Sequence, residues 1–293
     1  MTVPRVSILV TVFNRAAYLA ETLQSVLASS FQDFEVVVVD DHSSDGSLEI
    51  ATQFARLDQR VRVYVNDKNL GDYPNRNRAA SLACGQYFKY LDSDDLIYAH
   101  SLDIMVEAME AHPDAVLGLC HSQPEAEQPY PWALTPEQTY RKHFLGRGCL
   151  GCGPSGSIIR RDAFMDAGGF RPEWAVLSDT DLWYRLSARN SIVLMPPGLV
   201  WWRRHDGQEF SRDQSELVYL QRGYELSIQA LRAPECPLAE EQRAASVGRA
   251  RQHFARNLWS LALVAHRPAE ALRLFRASDL GIKEALRGLG SYQ

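Results

Sequence analysis

Three carboxylates, Asp92, Asp94 and Asp95, fall within four positions at the end of the run Tyr-Phe-Lys-Tyr-Leu, residues 87–91. The run is apolar and aromatic, and reads as a buried strand. Side chains alternate faces along a strand, which would turn Asp92 and Asp94 to one side. Carboxylates crowded in this way repel one another unless a cation lies between them. Hard divalent ions such as magnesium take oxygen ligands, often one or two carboxylates together with substrate phosphates. A strand end whose acids are solvated, or cap the next helix, accounts for the same residues, and the segment alone leaves both readings open.

Other stretches carry chemistry of their own. Ser178-Asp-Thr-Asp-Leu-Trp-Tyr-Arg-Leu186 reads as an acid-rich helix start, and capping and dipole effects suffice to explain Asp179 and Asp181 there. His205 closes Arg203-Arg-His and is a candidate ligand, although a lone histidine at a strand end needs company to be one. Five glycines lie between Gly146 and Gly156, among them Gly153 and Gly156. Glycine there permits close approach of backbone to a ligand, or simply a mobile loop. Cys149 and Cys152 form a C-x-x-C, but no second pair completes a zinc site and the context is not a redox turn. They read as structural or incidental thiols.

The elements that must position these residues follow in order. Val6–Val12 reads as a buried strand, with Asn14 as N-cap of a helix carrying Leu19, Leu23, Val26 and Leu27. Glu35–Asp40 is a continuous apolar strand of the parallel-sheet kind, followed by a polar turn and a helix from Ser47. A strand at 61–65, a helix at 74–83 and the strand at 86–91 come next, then a helix at 99–112 and a strand at 115–119. Residues 121–136, with Pro124, Pro129, Pro131 and Pro136, read as an irregular surface excursion. Strands at 192–194 and 199–202 are followed, from 213 onward, by helical patterns alone. Alternating strands and helices with short links predict an α/β fold, a doubly wound and mostly parallel sheet. Such sheets bind ligands beyond the carboxyl ends of their strands. Thr11 with Asn14, Asp40 with Asp41, and Asp92–Asp95 all lie at such ends, so one pocket would gather them.

Composition narrows the class. The 293 residues are 46% hydrophobic and 23% charged, which is ordinary for a globular protein. A net charge of −5 and a pI near 5.9 argue against a nucleic-acid partner. No signal-peptide pattern opens the chain, no apolar run reaches the length of a membrane helix, and five scattered cysteines suit a reducing compartment. A soluble cytoplasmic protein is expected. Arg243, Arg249, Arg251 and Arg256 on the C-terminal helices read as a solvated face, or more sharply as contact with an acidic membrane surface. Neither G-x-G-x-x-G nor G-x-x-x-x-G-K-[ST] occurs, which disfavours a dinucleotide cofactor and a P-loop NTPase.

Taken together, the motifs resemble the inverting glycosyltransferases of family 2, with their GT-A fold. The resemblance runs from about residue 5 to 206. It rests on Val-Ser-Ile-Leu-Val-Thr-Val-Phe-Asn-Arg, Val-Val-Val-Asp-Asp-His-Ser-Ser-Asp-Gly, the stretch Gly71–Asn77, and Leu-Asp-Ser-Asp-Asp. It implies a catalytic domain over 1–212 and leaves 213–293 as a helical extension. By position it implies that Thr11 and Asp41 line the nucleotide base, with Arg76 as helper. Asp92 and Asp94 fall on the DxD motif that holds ribose and a divalent metal, Mn2+ or Mg2+, with Asp95 and His205 near the same role. Asp179 matches the general base, and Gly153–Gly156 the loop lining donor sugar and acceptor. Partners would be a nucleotide-sugar donor and a glycan or lipid-linked acceptor. One departure stands out: Ser178 occupies the position where the family usually has the glutamate of a Glu-Asp pair. A non-catalytic sugar-nucleotide binder and a nucleotidyltransferase are the competing readings.

Overall fold

Uninterrupted β-branched runs make the centre of the fold. In the computed structural model, which describes residues 3–121, 128–205 and 213–288, the strands β1 (Val6–Val12) and β2 (Phe34–Asp40) are buried almost throughout. A strand buried on both faces has no use for alternation, which is why these segments are continuously apolar. Between them α1 (Leu19–Leu27) presents Leu19, Leu23 and Val26 to Ile8, Val10 and Val12 in one core. Next come α2 (Ser47–Leu57), β3 (Val61–Val65), α3 (Asp72–Leu82), β4 (Tyr87–Tyr90), β5 (Leu96–Ile97), α4 (Ser101–Ala111) and β6 (Ala115–Cys120). They are followed by β7 (Trp132–Leu134), α5 (Pro136–Tyr140), β8 (Ser157–Arg160), α6 (Arg161–Asp166), α7 (Ser178–Arg189), β9 (Ser191–Met195) and β10 (Val200–Trp201). Helices α8 (Asp213–Arg232), α9 (Glu240–Trp259), α10 (Pro268–Ala277) and α11 (Ile282–Arg287) complete the described chain.

The main sheet has eight strands in the order β3-β2-β1-β4-β8-β6-β9-β7, and β5 pairs with β10 in a small second sheet. Pairings among β1, β2, β3 and β4 are parallel, as is β6 with β9, while β8 and β7 run antiparallel to their neighbours. The mixed α/β sheet predicted from the sequence is therefore present. Registers such as Val12 opposite Asp40 and Leu9 opposite Tyr90 bring the carboxyl ends of β1, β2 and β4 to one edge.

Several local expectations are corrected. Asn14 does not cap α1, which begins at Leu19 with Tyr18 at its N-cap. Asn14 instead adopts φ 53°, and its side-chain oxygen accepts the Ser44 backbone N–H at 2.9 Å. The proline-rich excursion contains β7, which pairs antiparallel with β9; Pro124 lies outside the described residues. The glycine-rich stretch delivers β8, a strand that the loop-like composition in front of it concealed.

The chain divides into two compact units, residues 1–139 with 149–204, and residues 140–148 with 205–293. In the second, Leu217, Tyr224 and Ile228 pack with Phe254, Leu258, Leu261 and Leu274. Three of the arginines read as a basic face, Arg243, Arg249 and Arg251, make contacts within this unit. Arg251 pairs with Asp279 at 2.8 Å and Glu284 at 2.7 Å, and Arg243 donates to the Cys236 carbonyl at 3.1 Å. Arg249 donates to the Gly146 carbonyl at 3.0 Å.

Away from the ligand edge, at the opposite ends of the strands, Glu35 holds the first unit together. It is 7% exposed and accepts from the Ser7 hydroxyl at 2.6 Å and the Cys84 N–H at 2.8 Å, while Arg62 pairs with it at 2.9 Å. Removing a buried acceptor leaves its donors unsatisfied, so Glu35→Ala is expected to cost about 2 kcal/mol. Calorimetry should register a melting point lower by roughly 4–8 °C.

Candidate active site

The acids at the end of β4 sit on a turn, not on the strand. β4 stops at Tyr90, and the Asp95 N–H donates to the Asp92 carbonyl at 3.0 Å. Strand alternation therefore does not orient Asp92 and Asp94. Asp92 and Asp94 each pair with an arginine side chain, and Asp95 with an arginine backbone N–H. Arg76 Nη2 reaches Asp92 Oδ1 at 2.7 Å, and Arg15 Nε reaches Asp94 Oδ2 at 3.0 Å. The Arg203 backbone N–H donates to Asp95 Oδ1 at 3.1 Å, and its Nε donates to the Asp94 carbonyl at 2.9 Å. Arg203 itself lies between the rings of Tyr18 and Trp201, 5.0 and 4.8 Å from their centroids.

These surroundings split the acids electrostatically. Burial opposes ionisation of Asp92, but the Arg76 charge and hydrogen bonds from Arg76 and Ser155 outweigh it, so its pKa is lowered. Asp95 moves the other way, pushed up to about 7 by burial and then by the neighbouring Asp92 charge. Its Oδ2 is buried with no hydrogen-bond partner.

Arg76 is the hinge of the constellation. It is 7% exposed, bonds Asp72 at 2.8 Å as well as Asp92, and carries its guanidinium 5.6 Å from the Tyr73 ring centroid. Its Nη1 is buried and unpartnered. The helix α3 that presents it begins after Gly71, whose φ of 89° needs glycine. Asp41 fixes that entry: Oδ1 accepts the Leu70 N–H at 2.8 Å and Oδ2 the Gly71 N–H at 2.9 Å. Thr11 is half-buried near the end of β1, opposite Val39 of β2.

Asp179 lies in the first turn of α7 and accepts from the Thr180 N–H at 2.6 Å. Burial is the main influence on it and lifts its pKa to about 6. Arg76 pulls it down and Asp72 pushes it up, so Asp179 lies in the electrostatic field of the Arg76 group. Ser178 points away from any such role. Fully buried, its hydroxyl lies 2.7 Å from the carbonyls of both Arg171 and Ala175, closing a turn in which Ala175 has φ 49°.

The loop before β8 joins the same group. The Ser155 hydroxyl accepts the Asp92 N–H at 3.0 Å. A Cβ on Gly156 would displace the Cys152 sulfur, whereas at Gly153 a Cβ would meet nothing within 4 Å. His205 belongs to the second unit.

Sequence reading missed Arg15, Ser155 and Arg203. Single arginines in polar turns carry no periodic signal, and Ser155 is masked by the glycines around it. Among the described residues, no group of three or more His, Cys, Asp or Glu is arranged to hold a metal ion. Asp94 and Asp95 nonetheless fit a hard divalent cation. They offer oxygen donors, one of them orphaned, and leave other coordination positions to phosphate and water.

The mostly parallel eight-stranded sheet flanked by helices is that of a GT-A type fold. The profile described as glycosyl transferase family 2 matches residues 7–168, and the chain belongs to that family. Glycosyltransferase GlyG of Streptococcus pneumoniae is 31% identical over 123 residues, which cover 42% of this chain and 41% of that protein. TuaG of Bacillus subtilis, named for teichuronic acid biosynthesis, is 36% identical over 106 residues, 36% of this chain and 42% of TuaG. The matched stretch thus spans less than half the length of either relative. Among solved structures, TarS 1-349 of S. aureus in complex with UDP-GlcNAc has a TM-score of 0.66 at 19% identity, covering 98% of this chain and 79% of that one. Mannosyltransferase PcManGT of Pyrobaculum calidifontis, in complex with GDP-Man and Mn2+, has a TM-score of 0.63 at 18% identity, covering 99% and 80%.

Proposed function

We propose that the chain transfers a sugar from a nucleoside-diphosphate donor to an acceptor hydroxyl, with inversion at the anomeric carbon. What supports this reading is the buried Arg76 guanidinium, which bonds Asp92 and lies within electrostatic reach of Asp179. Thr11, Asp41, Arg76 and Asp92 would take the nucleoside, and the loop Gly153–Gly156 the donor sugar and acceptor. Asp94 and Asp95 would hold Mn2+ or Mg2+, whose charge counters that of the leaving diphosphate. Asp179 takes the proton of the acceptor hydroxyl as its oxygen bonds to the anomeric carbon and the bond from that carbon to the diphosphate breaks. A pKa near 6 leaves this carboxylate ionised at neutral pH yet more basic than an exposed one. Catalysis is assigned to residues 1–212, with 213–293 as a helical extension. The relatives' names support a surface polysaccharide or glycoconjugate as the acceptor. No described helix is long and apolar enough to cross a membrane, and a peripheral position at its inner face is part of the same proposal.

The test is a thermal-shift and calorimetric screen of UDP-, GDP- and dTDP-sugars with and without Mn2+, since a ligand stabilises in proportion to affinity and concentration. Binding that needs the metal, and that weakens about tenfold or more in Asp94→Ala, is expected. Nucleotide affinity that is unchanged in this variant and indifferent to metal would remove the metal role from Asp94.

A further inference from the structure

Lys89 sits in the middle of β4 with no solvent exposure, between Phe88 and Tyr90. A buried ammonium is costly unless its protons are taken up, and an apolar residue would fill the same space without that cost. Its Nζ donates to the Tyr90 carbonyl at 2.6 Å and to the Ser155 carbonyl. Cys120 of β6, Cys152 of the glycine-rich loop, and Asp92 and Asp95 of the acid turn are the ionisable groups around it. Burial pulls its pKa down, and these neighbours resist, to a value of about 8. It is therefore a cation at neutral pH.

The residue it holds is the one that reaches the acids. Ser155 is 8% exposed, receives Lys89 on its carbonyl, and accepts the Asp92 N–H on its hydroxyl at 3.0 Å. The chain of contacts runs from a central strand, through the loop, to the acid turn, and none of it passes through Asp179.

We propose that Lys89 is a positioning residue for donor binding: its ammonium clamps the Ser155 carbonyl to the end of β4 and thereby sets the Ser155 hydroxyl against the Asp92 turn. The inference rests on the transferase reading above and deepens it. Kinetics would be run on wild type, Lys89→Met and Ser155→Ala with the nucleotide sugar that wild type turns over, alongside calorimetric titration of UDP, GDP and dTDP. Both variants should raise the donor KM and the Kd of the preferred nucleotide about tenfold, the scale of one charge-assisted contact, while the acceptor KM holds. A merely structural lysine would lower the melting temperature and the active fraction but leave the donor KM of the folded enzyme at the wild-type value. That result overturns the proposal. Should Lys89→Met fail to fold, Ser155→Ala decides alone, and an unchanged donor KM there overturns it equally. Wild-type protein that neither binds these nucleotides nor turns over any donor would instead overturn the transferase reading itself.

Discussion

Asp179→Asn is expected to lower kcat by about 10²–10⁴-fold while leaving donor affinity intact, the range that general-base assistance supplies. Asparagine keeps the shape and can still accept the Thr180 N–H that now goes to Asp179 Oδ1. What it loses is the ability to take a proton. The pH dependence gives an independent check. Burial holds the Asp179 pKa at about 6, above its ordinary value. Only the ionised carboxylate can act as base, so kcat/KM should fall about tenfold per pH unit below 6 and level off above it. The asparagine variant should show a small residual rate without that limb. Stopped assays across pH 5–8 with calorimetric donor binding would measure both. A variant with wild-type turnover, or one that retains the limb at pH 6, would remove the base assignment.

How much of this was legible beforehand depends on what kind of signal each residue leaves. The strands β1 and β2 announce themselves because burial on both faces forces long apolar runs. The acids at the ends of β2 and β4 were legible because the sheet rule says where to look. What the sequence hid was the pairing of charges. Arg15 and Arg76 come from separate parts of the chain, and nothing in their local sequence says that one will pair with Asp94 and the other with Asp92, or that the Arg203 backbone N–H will reach Asp95. The inference that Asp92 and Asp94 share a face failed for a related reason. It assumed the strand continued, whereas the backbone turns after Leu91 and the Asp95 N–H bonds back to Asp92. Ser178 was visible as a departure, but its role in closing the turn at Ala175 depends on a positive φ that composition does not reveal.

Arg76→Met should disturb donor binding, base strength and stability together, because one buried guanidinium serves all three. Its loss leaves Asp72 and Asp92, each about a third exposed, without their shared cation, which should cost on the order of 1–2 kcal/mol of stability. Donor affinity should fall by roughly one to two orders of magnitude, as for other buried charge pairs truncated at a binding site. The sharper effect is on the base. Arg76 lowers the Asp179 pKa against the upward push of burial, so removing it raises that pKa further above 6. Because the active form is the ionised one, the acid limb of kcat/KM must then move to higher pH. Arg76→Lys retains the charge but cannot bridge Asp72 and Asp92 with a planar fork. It should therefore leave the limb near its wild-type position while still weakening the donor. A shift in the methionine variant that is absent in the lysine variant would tie the base to Arg76 through charge alone. A limb fixed at the same pH in all three proteins would separate Arg76 from Asp179 and leave it a donor-side residue only.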